Sequence, residues 1–196
     1  DDYARHSGAQ YEWAKELIGK LRLRGHEAVL DVGCGDGKVT AAIAAQLPRG
    51  HVVGLDNSEG MLAKARTAFP LKQYPNIAFL LGDVLLMDLP GQFDVVFSNA
   101  TLHWARDHRT VLRRVHHSLK PGGRILFQMG GKGNAAEIVD IFEAMMFSGP
   151  WTKYFNEFQF PYSFYAPEDY APWLAEAGFS ASRVELITKD MKQKGS

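Results

Sequence analysis

Apolar and polar positions along the chain alternate between two periods. Short β-branched runs are followed by stretches with apolar residues three or four apart. "EAVLDV" (27–32) reads as a buried strand, and "GKVTAAIAAQL" (37–47) as a helix with Val39, Ile43 and Leu47 on one face, stopped by Pro48 and Gly50. "HVVGLD" (51–56) is a second strand. Ser58 is placed to cap a helix through Met61, Leu62, Ala65 and Phe69. "NIAFLLGD" (76–83), "FDVVFS" (93–98) and "RILFQM" (124–129) read as further strands. Asp107 can cap a helix with Val111, Leu112, Val115 and Leu119 inward, and "KPGG" (120–123) reads as a turn. Asn134 can cap a helix that turns Ile138, Ile141, Phe142 and Met145 inward. Pro167 and Gly178 bracket one more, with Tyr170, Trp173 and Leu174 inward.

Strands separated by helical crossovers force a parallel sheet. Near-continuous apolar strands place helices on both of its faces. In such α/β sheets ligands bind beyond the carboxyl ends of the strands, near the switch in strand order. The informative positions are therefore Asp31 to Gly37, Asp56, Gly82-Asp83, Ser98 to Trp104 and Gly130 to Asn134.

Composition narrows the class. The chain has 196 residues and is read as one domain, 1–196, able to bury a core without covalent staples. Its 22 basic and 22 acidic residues cancel, so no charge excess points to nucleic acid or a membrane surface. Cys34 stands alone, which excludes an internal disulfide and a cysteine-based zinc site; no metal is expected. No apolar run has the length of a membrane span and no signal-peptide pattern opens the chain, so the expected location is the cytoplasm. The first residue is Asp1, not Met, as in a processed form or a fragment. Oligomeric state is not legible.

The loop "VLDVGCGDGK" joins strand to helix through Gly33, Gly35 and Gly37. It is not a phosphate loop, because Val39 follows Gly37-Lys38 where magnesium would need a hydroxyl. For a dinucleotide fingerprint the third glycine comes one residue early. Asp31 and Asp36 would also repel a pyrophosphate. Those carboxylates suit a cationic ligand without phosphate, such as S-adenosylmethionine. Its carboxylate could use the loop's N–H groups while Asp31 faces its cationic end. Asp56 could then accept from the ribose hydroxyls, and Asp83 from the adenine amino group. Each aspartate alone could be a turn former or cap; three in strand-end register favour the ligand.

Five stretches in this order, "VLDVGCGDGK", "VVGLDNS", "LLGDV", "FDVVFSNATLHW" and "LKPGG", resemble the class I S-adenosylmethionine-dependent methyltransferases over about residues 27–130. "YARHSGAQYEWA" together with "LHW" resembles the trans-aconitate and juvenile hormone acid methyltransferase group, which acts on carboxylates of small molecules. The resemblance implies a Rossmann-like sheet of seven strands, the last antiparallel. It implies a cofactor-binding core over 27–130 and an acceptor cap over 134–178. It implies that Asp31, Gly33 and Gly35 line the methionine end, Asp56 and Asn57 hold the ribose and Asp83 and Val84 flank the adenine; Cys34 and Met61 are expected against the cofactor too, with Asn99, Ala100 and Thr101 running beneath it. Gln10 and Trp104 would lie near the acceptor, with His103 beside them. "SRVELITK" (182–189) can be a sixth strand. No residues remain for the last one, so the chain is either truncated or lacks that strand.

Ten aromatics fall between Trp151 and Trp173, read mainly as packing and partly as an acceptor wall. "GGKGN" (130–134), with Lys132, is a candidate anion clamp. The basic run Arg106 to His117 reads as a solvated helix face. A carboxylate acceptor needs no base, whereas a hydroxyl or carbon acid would. His103 is the nearest candidate base and can equally anchor the loop. The expected function is methyl transfer to an oxygen, a carboxylate by preference, of a small acceptor. A non-catalytic S-adenosylmethionine-binding protein and an NAD-dependent oxidoreductase stay open as alternatives.

Overall fold

A computed structural model describes residues 8–181 and 183–189, with side chains from residue 13 onward. Five parallel strands form one sheet: β1 (Ala28–Val32), β2 (His51–Asp56), β3 (Ile77–Leu81), β4 (Phe93–Asn99) and β5 (Leu119–Gln128), in the order β3-β2-β1-β4-β5. The order reverses between β1 and β4, so the crevice of a doubly wound sheet lies at their carboxyl ends. The helices are α1 (Gly8–Lys20), α2 (Lys38–Ala44), α3 (Glu59–Ala68), α4 (His108–Ser118), α5 (Ala136–Met146), α6 (Thr152–Phe155) and α7 (Pro167–Glu176). Leu102–Trp104 and Gly149–Trp151 form 3-10 turns.

Side chains alternate along β1 and β4 between two cores. One packs Val29, Val95 and Phe97 against Leu17, Ile18 and Leu21 of the α1 side and Ile43 and Leu47 of the α2 side. The other packs Leu30, Val32 and Val96 against Leu102, Val111 and Val115. The caps form as read: Ser58 Oγ accepts from the Met61 N–H (3.3 Å) and an Asp107 carboxylate oxygen from that of Thr110 (2.9 Å). At the opposite end of the sheet, the buried Glu27 carboxylate accepts from the N–H groups of Arg24, Gly25 and His26, which holds it below the usual carboxylate range against the cost of burial.

Four expectations are corrected. The Lys120–Gly123 turn lies inside β5: Leu119 pairs with Phe93 and Arg124 with Val95, so the intervening residues bulge from the ladder. Asn134 does not cap α5. That place belongs to Ala135, at φ 53°, with no side-chain hydrogen bond. Ile138, Ile141, Phe142 and Met145 are not inward but 56–61% exposed, because α5 packs on the short turns at 149–155 rather than on the sheet. Finally, residues 183–189 form no strand, so the described sheet has five strands rather than six or seven. The segment makes side-chain contacts instead. Leu186 packs at Gly131, and Lys189 pairs with Glu16 (3.1 Å) over the Trp13 ring. A groove of about 560 Å³ lies between Gly178 to Ala181 and Arg183 on one side and the start of β5 on the other.

Candidate functional site

The site is built where β1, β2 and β4 end. Gly33, Gly35 and Gly37 all have positive φ (75°, 55° and 80°), which folds the loop tightly over the ends of β1 and β2. The N–H groups of Gly33 and Cys34 donate to the Leu55 carbonyl (2.7 and 3.1 Å). That of Gly35 donates to Asp56 Oδ2 (2.8 Å), that of Gly37 to the Cys34 carbonyl (3.0 Å), and that of Lys38 to Asp36 Oδ1 (3.3 Å). The loop's donors are therefore largely spent within the protein. This differs from the expectation that they would receive a ligand carboxylate.

What remains is a surface of acceptors. The Gly33 carbonyl accepts one bond, from the Thr101 hydroxyl (3.1 Å), across the point where the strand order reverses. A carbonyl has room for a second. Asn99 Oδ1 is buried and has no hydrogen-bond partner among the described residues. Asp56 is half-buried; its oxygens hold the Gly35 and Ser58 N–H groups (2.8 and 2.9 Å) and keep further lone pairs. Asp83 Oδ1 accepts from the Leu85 N–H (2.8 Å), which fixes its carboxylate past the end of β3. The buried Asn99 oxygen and these carboxylates fit a ligand rich in donors and positive charge, as S-adenosylmethionine is with its ammonium, ribose hydroxyls and adenine amino group. They do not fit a pyrophosphate.

Asp31 is 2% exposed, and its Oδ2 accepts from the Thr40 hydroxyl at 2.7 Å. Burial pushes its pKa up to about 7; the Thr40 hydrogen bond opposes this and the Asp56 charge adds to it. It thus lies behind the loop, closed to solvent. Cys34 turns inward against Gly54, where an added Cβ would sit 2.8 Å from its sulfur. Burial pushes that thiol up, which makes Cys34 a packing residue and not a nucleophile. The Met61 methyl lies over Gly35, within 3.3 Å of where a Cβ would be. Asn57 is exposed, Val84 and Ala100 are half-buried, and Ala100 takes φ 54° as the chain leaves β4.

His103 and Trp104 stand apart in role. The Gly130 N–H donates to His103 Nδ1 (3.3 Å), and the His103 carbonyl accepts from the Ser163 N–H (2.8 Å). Burial holds its pKa below the usual histidine value, so the ring is neutral at pH 7. The ring packs among Trp104, Tyr162 and Phe164. Trp104 is 57% exposed and meets Tyr162 edge-on, centroids 4.4 Å apart. Gln10 lies in α1, but its side chain is outside the described residues. The first two glycines of "GGKGN" serve packing: a Cβ on Gly130 would strike Phe164, and one on Gly131 would strike Leu186; Gly133 has open space around it and a φ of 81°.

The partners of Thr40, Thr101 and Tyr170 are not legible in the sequence. Tyr170 hydrogen-bonds to His108 Nδ1 and lies 3.3 Å from the Met129 sulfur, tying α7 to the start of α4 and the end of β5. Only the i, i+9 spacing of Asp31 and Thr40 hinted at a contact, and it needs the loop geometry to be read.

Residues 29–123 match the family model of a methyltransferase domain. An uncharacterized methyltransferase of Schizosaccharomyces pombe is 32% identical over 98% of this chain and 76% of its own. The chain belongs to the S-adenosylmethionine-dependent methyltransferases. The trans-aconitate 2-methyltransferase of Deinococcus radiodurans is 39% identical over 66% of the chain. That match spans only 48% of the relative, so this methyltransferase chain covers about half the length of such relatives. The crystal structure of an S-adenosylmethionine-dependent methyltransferase from Mesorhizobium loti is 34% identical, with a TM-score of 0.55 over 64% of this chain and 55% of the other.

Proposed function

We propose that this methyltransferase esterifies a carboxylate oxygen of a small-molecule acceptor. The observation that carries the reading is the pinned, neutral His103. Its Nδ1 is occupied by the Gly130 N–H and its ring is buried among aromatics. No other histidine lies in the 99–104 segment. With Nδ1 accepting from the Gly130 N–H, His103 has no free lone pair for a proton, and a carboxylate acceptor, with a pKa of about 4, is already nucleophilic at pH 7 and asks for none. The names of the trans-aconitate relatives support the same class of acceptor.

When bound, S-adenosylmethionine supplies a methyl group activated by a sulfonium. The protein's part is position and charge. Asp56 would hold the ribose hydroxyls and Asp83 the adenine amino group. Asn99 Oδ1 and the Gly33 carbonyl would hold the ammonium, with Asp31 supplying negative charge from behind. Trp104 would close the acceptor side and exclude water.

Two measurements test this. Titration calorimetry should show binding of S-adenosylhomocysteine and none of NAD. Mass spectrometry of reactions with the cofactor and a set of carboxylic acids should show methyl esters. Binding of NAD alone would return the chain to oxidoreductase chemistry. Cofactor binding without ester from any acid would leave a non-catalytic module.

A further inference from the structure

Residues 159–165 belong to no helix or strand, yet they form a strap fastened to the loops that follow both β4 and β5. Its aromatics Phe160, Tyr162 and Phe164 fall at every second position, which in an extended chain turns all three to one side. The three rings pack on one another, and those of Tyr162 and Phe164 pack on His103. On the β5 side the Lys132 N–H donates to the Tyr165 carbonyl (2.9 Å), and Phe164 lies on Gly130.

On the β4 side the ties bracket one residue. The Ser163 N–H donates to the His103 carbonyl (2.8 Å), and the Tyr165 hydroxyl donates to the Arg106 carbonyl (3.1 Å). The Arg106 guanidinium donates to Gln159 Oε1. Trp104 stands between the two held carbonyls. It is 57% exposed, and its ring meets those of His103 and Tyr162. Dense core packing, which fixes a buried ring, therefore does not fix this one. Its position depends on the strap, which holds the main chain before and after it and sets Tyr162 against the indole.

We propose that Ser163, through its N–H, and Tyr165, through its hydroxyl, are positioning residues that set where Trp104 stands during methyl transfer. The proposal rests on the reading that Trp104 closes the acceptor side. A displacement of about 1 Å among groups that align reactants can cost about a hundredfold in rate, so ties remote from the reacting atoms can govern turnover.

The test uses the full chain labelled with 5-fluorotryptophan. Trp104→Phe identifies the Trp104 signal among those of the four tryptophans in the fluorine NMR spectrum. Ser163→Pro removes the donor to the His103 carbonyl, whereas Ser163→Ala keeps it. In Ser163→Pro the Trp104 signal should broaden or move toward that of the free amino acid, with the Trp13 signal unmoved; in Ser163→Ala it should stay in place. The initial rate of label transfer from methyl-labelled cofactor to a pooled set of carboxylic acids should fall about tenfold in Ser163→Pro. The Kd for S-adenosylhomocysteine should stay within about twofold, which a general loosening of the fold would not allow. Tyr165→Phe should act in the same direction; it removes one hydroxyl and keeps the ring, so it carries the test if Ser163→Pro fails to fold. A Trp104 signal indifferent to both variants, or a cofactor affinity that falls in step with the rate, would overturn the proposal. No ester from the unaltered chain would overturn the carboxylate reading alone, and the Trp104 signal would then decide this one.

Discussion

The Thr40 hydroxyl is the hydrogen-bond donor to the Asp31 carboxylate, 2.7 Å away in a pocket closed to solvent. Asp31 sits at a folded-state pKa of about 7 against an ordinary 3.8, so the native chain holds a proton that the unfolded chain releases. The contribution of Asp31 to stability is therefore fully present below about pH 4 and is lost as pH rises through about 7. Urea midpoints of the unliganded protein should fall across that window, and Asp31→Asn should flatten the fall. A cationic ligand favours the ionised form. Stabilisation by S-adenosylmethionine should thus be larger at pH 8 than at pH 6, as read by the shift in Tm.

Asp56 joins the glycine loop to α3 through two N–H groups. Asp56→Asn turns one acceptor into a donor that faces an N–H, leaving both unsatisfied. The expected result is a rise of about tenfold or more in Kd for S-adenosylhomocysteine by calorimetry.

Gly33 has no room for a side chain: its φ is 75°, and an added Cβ would strike the Thr101 side chain. Gly33→Ala should cost roughly 2–4 kcal/mol, the sum of left-handed strain and overpacking. Thr101→Ala in the same background should recover the overpacking part and leave the strain. A double-mutant cycle in urea measures the split, and strict additivity would argue against the contact.

His103 Nδ1 is taken by the Gly130 N–H, so the ring should leave no mark on the chemical step. With a carboxylic acid acceptor, kcat should be flat from about pH 6 to 9, without the inflection of a titrating histidine. His103→Asn should raise the acceptor KM by loosening the 99–104 segment. An inflection in kcat near neutrality that vanishes in the variant would make His103 a base after all.

Tyr170 fills the gap between α7 and the His108 ring. Tyr170→Phe leaves His108 Nδ1 without its partner in a ring whose Nε2 already has none among the described residues. The expected loss is about 1–3 kcal/mol, read from the urea midpoint.

The sequence was informative where local chemistry decides the structure. Strand ends, the Ser58 and Asp107 caps and the aspartates past β1, β2 and β3 follow from periodicity and turn residues over short spans. α1 was not read as a helix, although Ala14, Leu17, Ile18 and Leu21 have helical spacing and are buried. The packing partners that decide it lie in α2, β4 and β5. For α5 the same spacing misled: periodicity shows that a stripe exists, not what it faces. Thr40, Thr101 and Tyr170 act across the fold on partners 9, 68 and 62 residues away, and no pattern along the chain encodes such pairs.

The bulge in β5 has a consequence for how these molecules behave in a crowd. β5 ends the described sheet, and an open edge strand is a template for a neighbouring chain. Over Lys120–Gly123 the ladder is broken, Pro121 offers no N–H, and Lys120 and Arg124 flank the gap with charge. The first half of the edge therefore resists pairing with another molecule. Edge-to-edge aggregation, where it starts, should start from the four residues Ile125 to Gln128, and a lysine placed there should raise the concentration the protein tolerates.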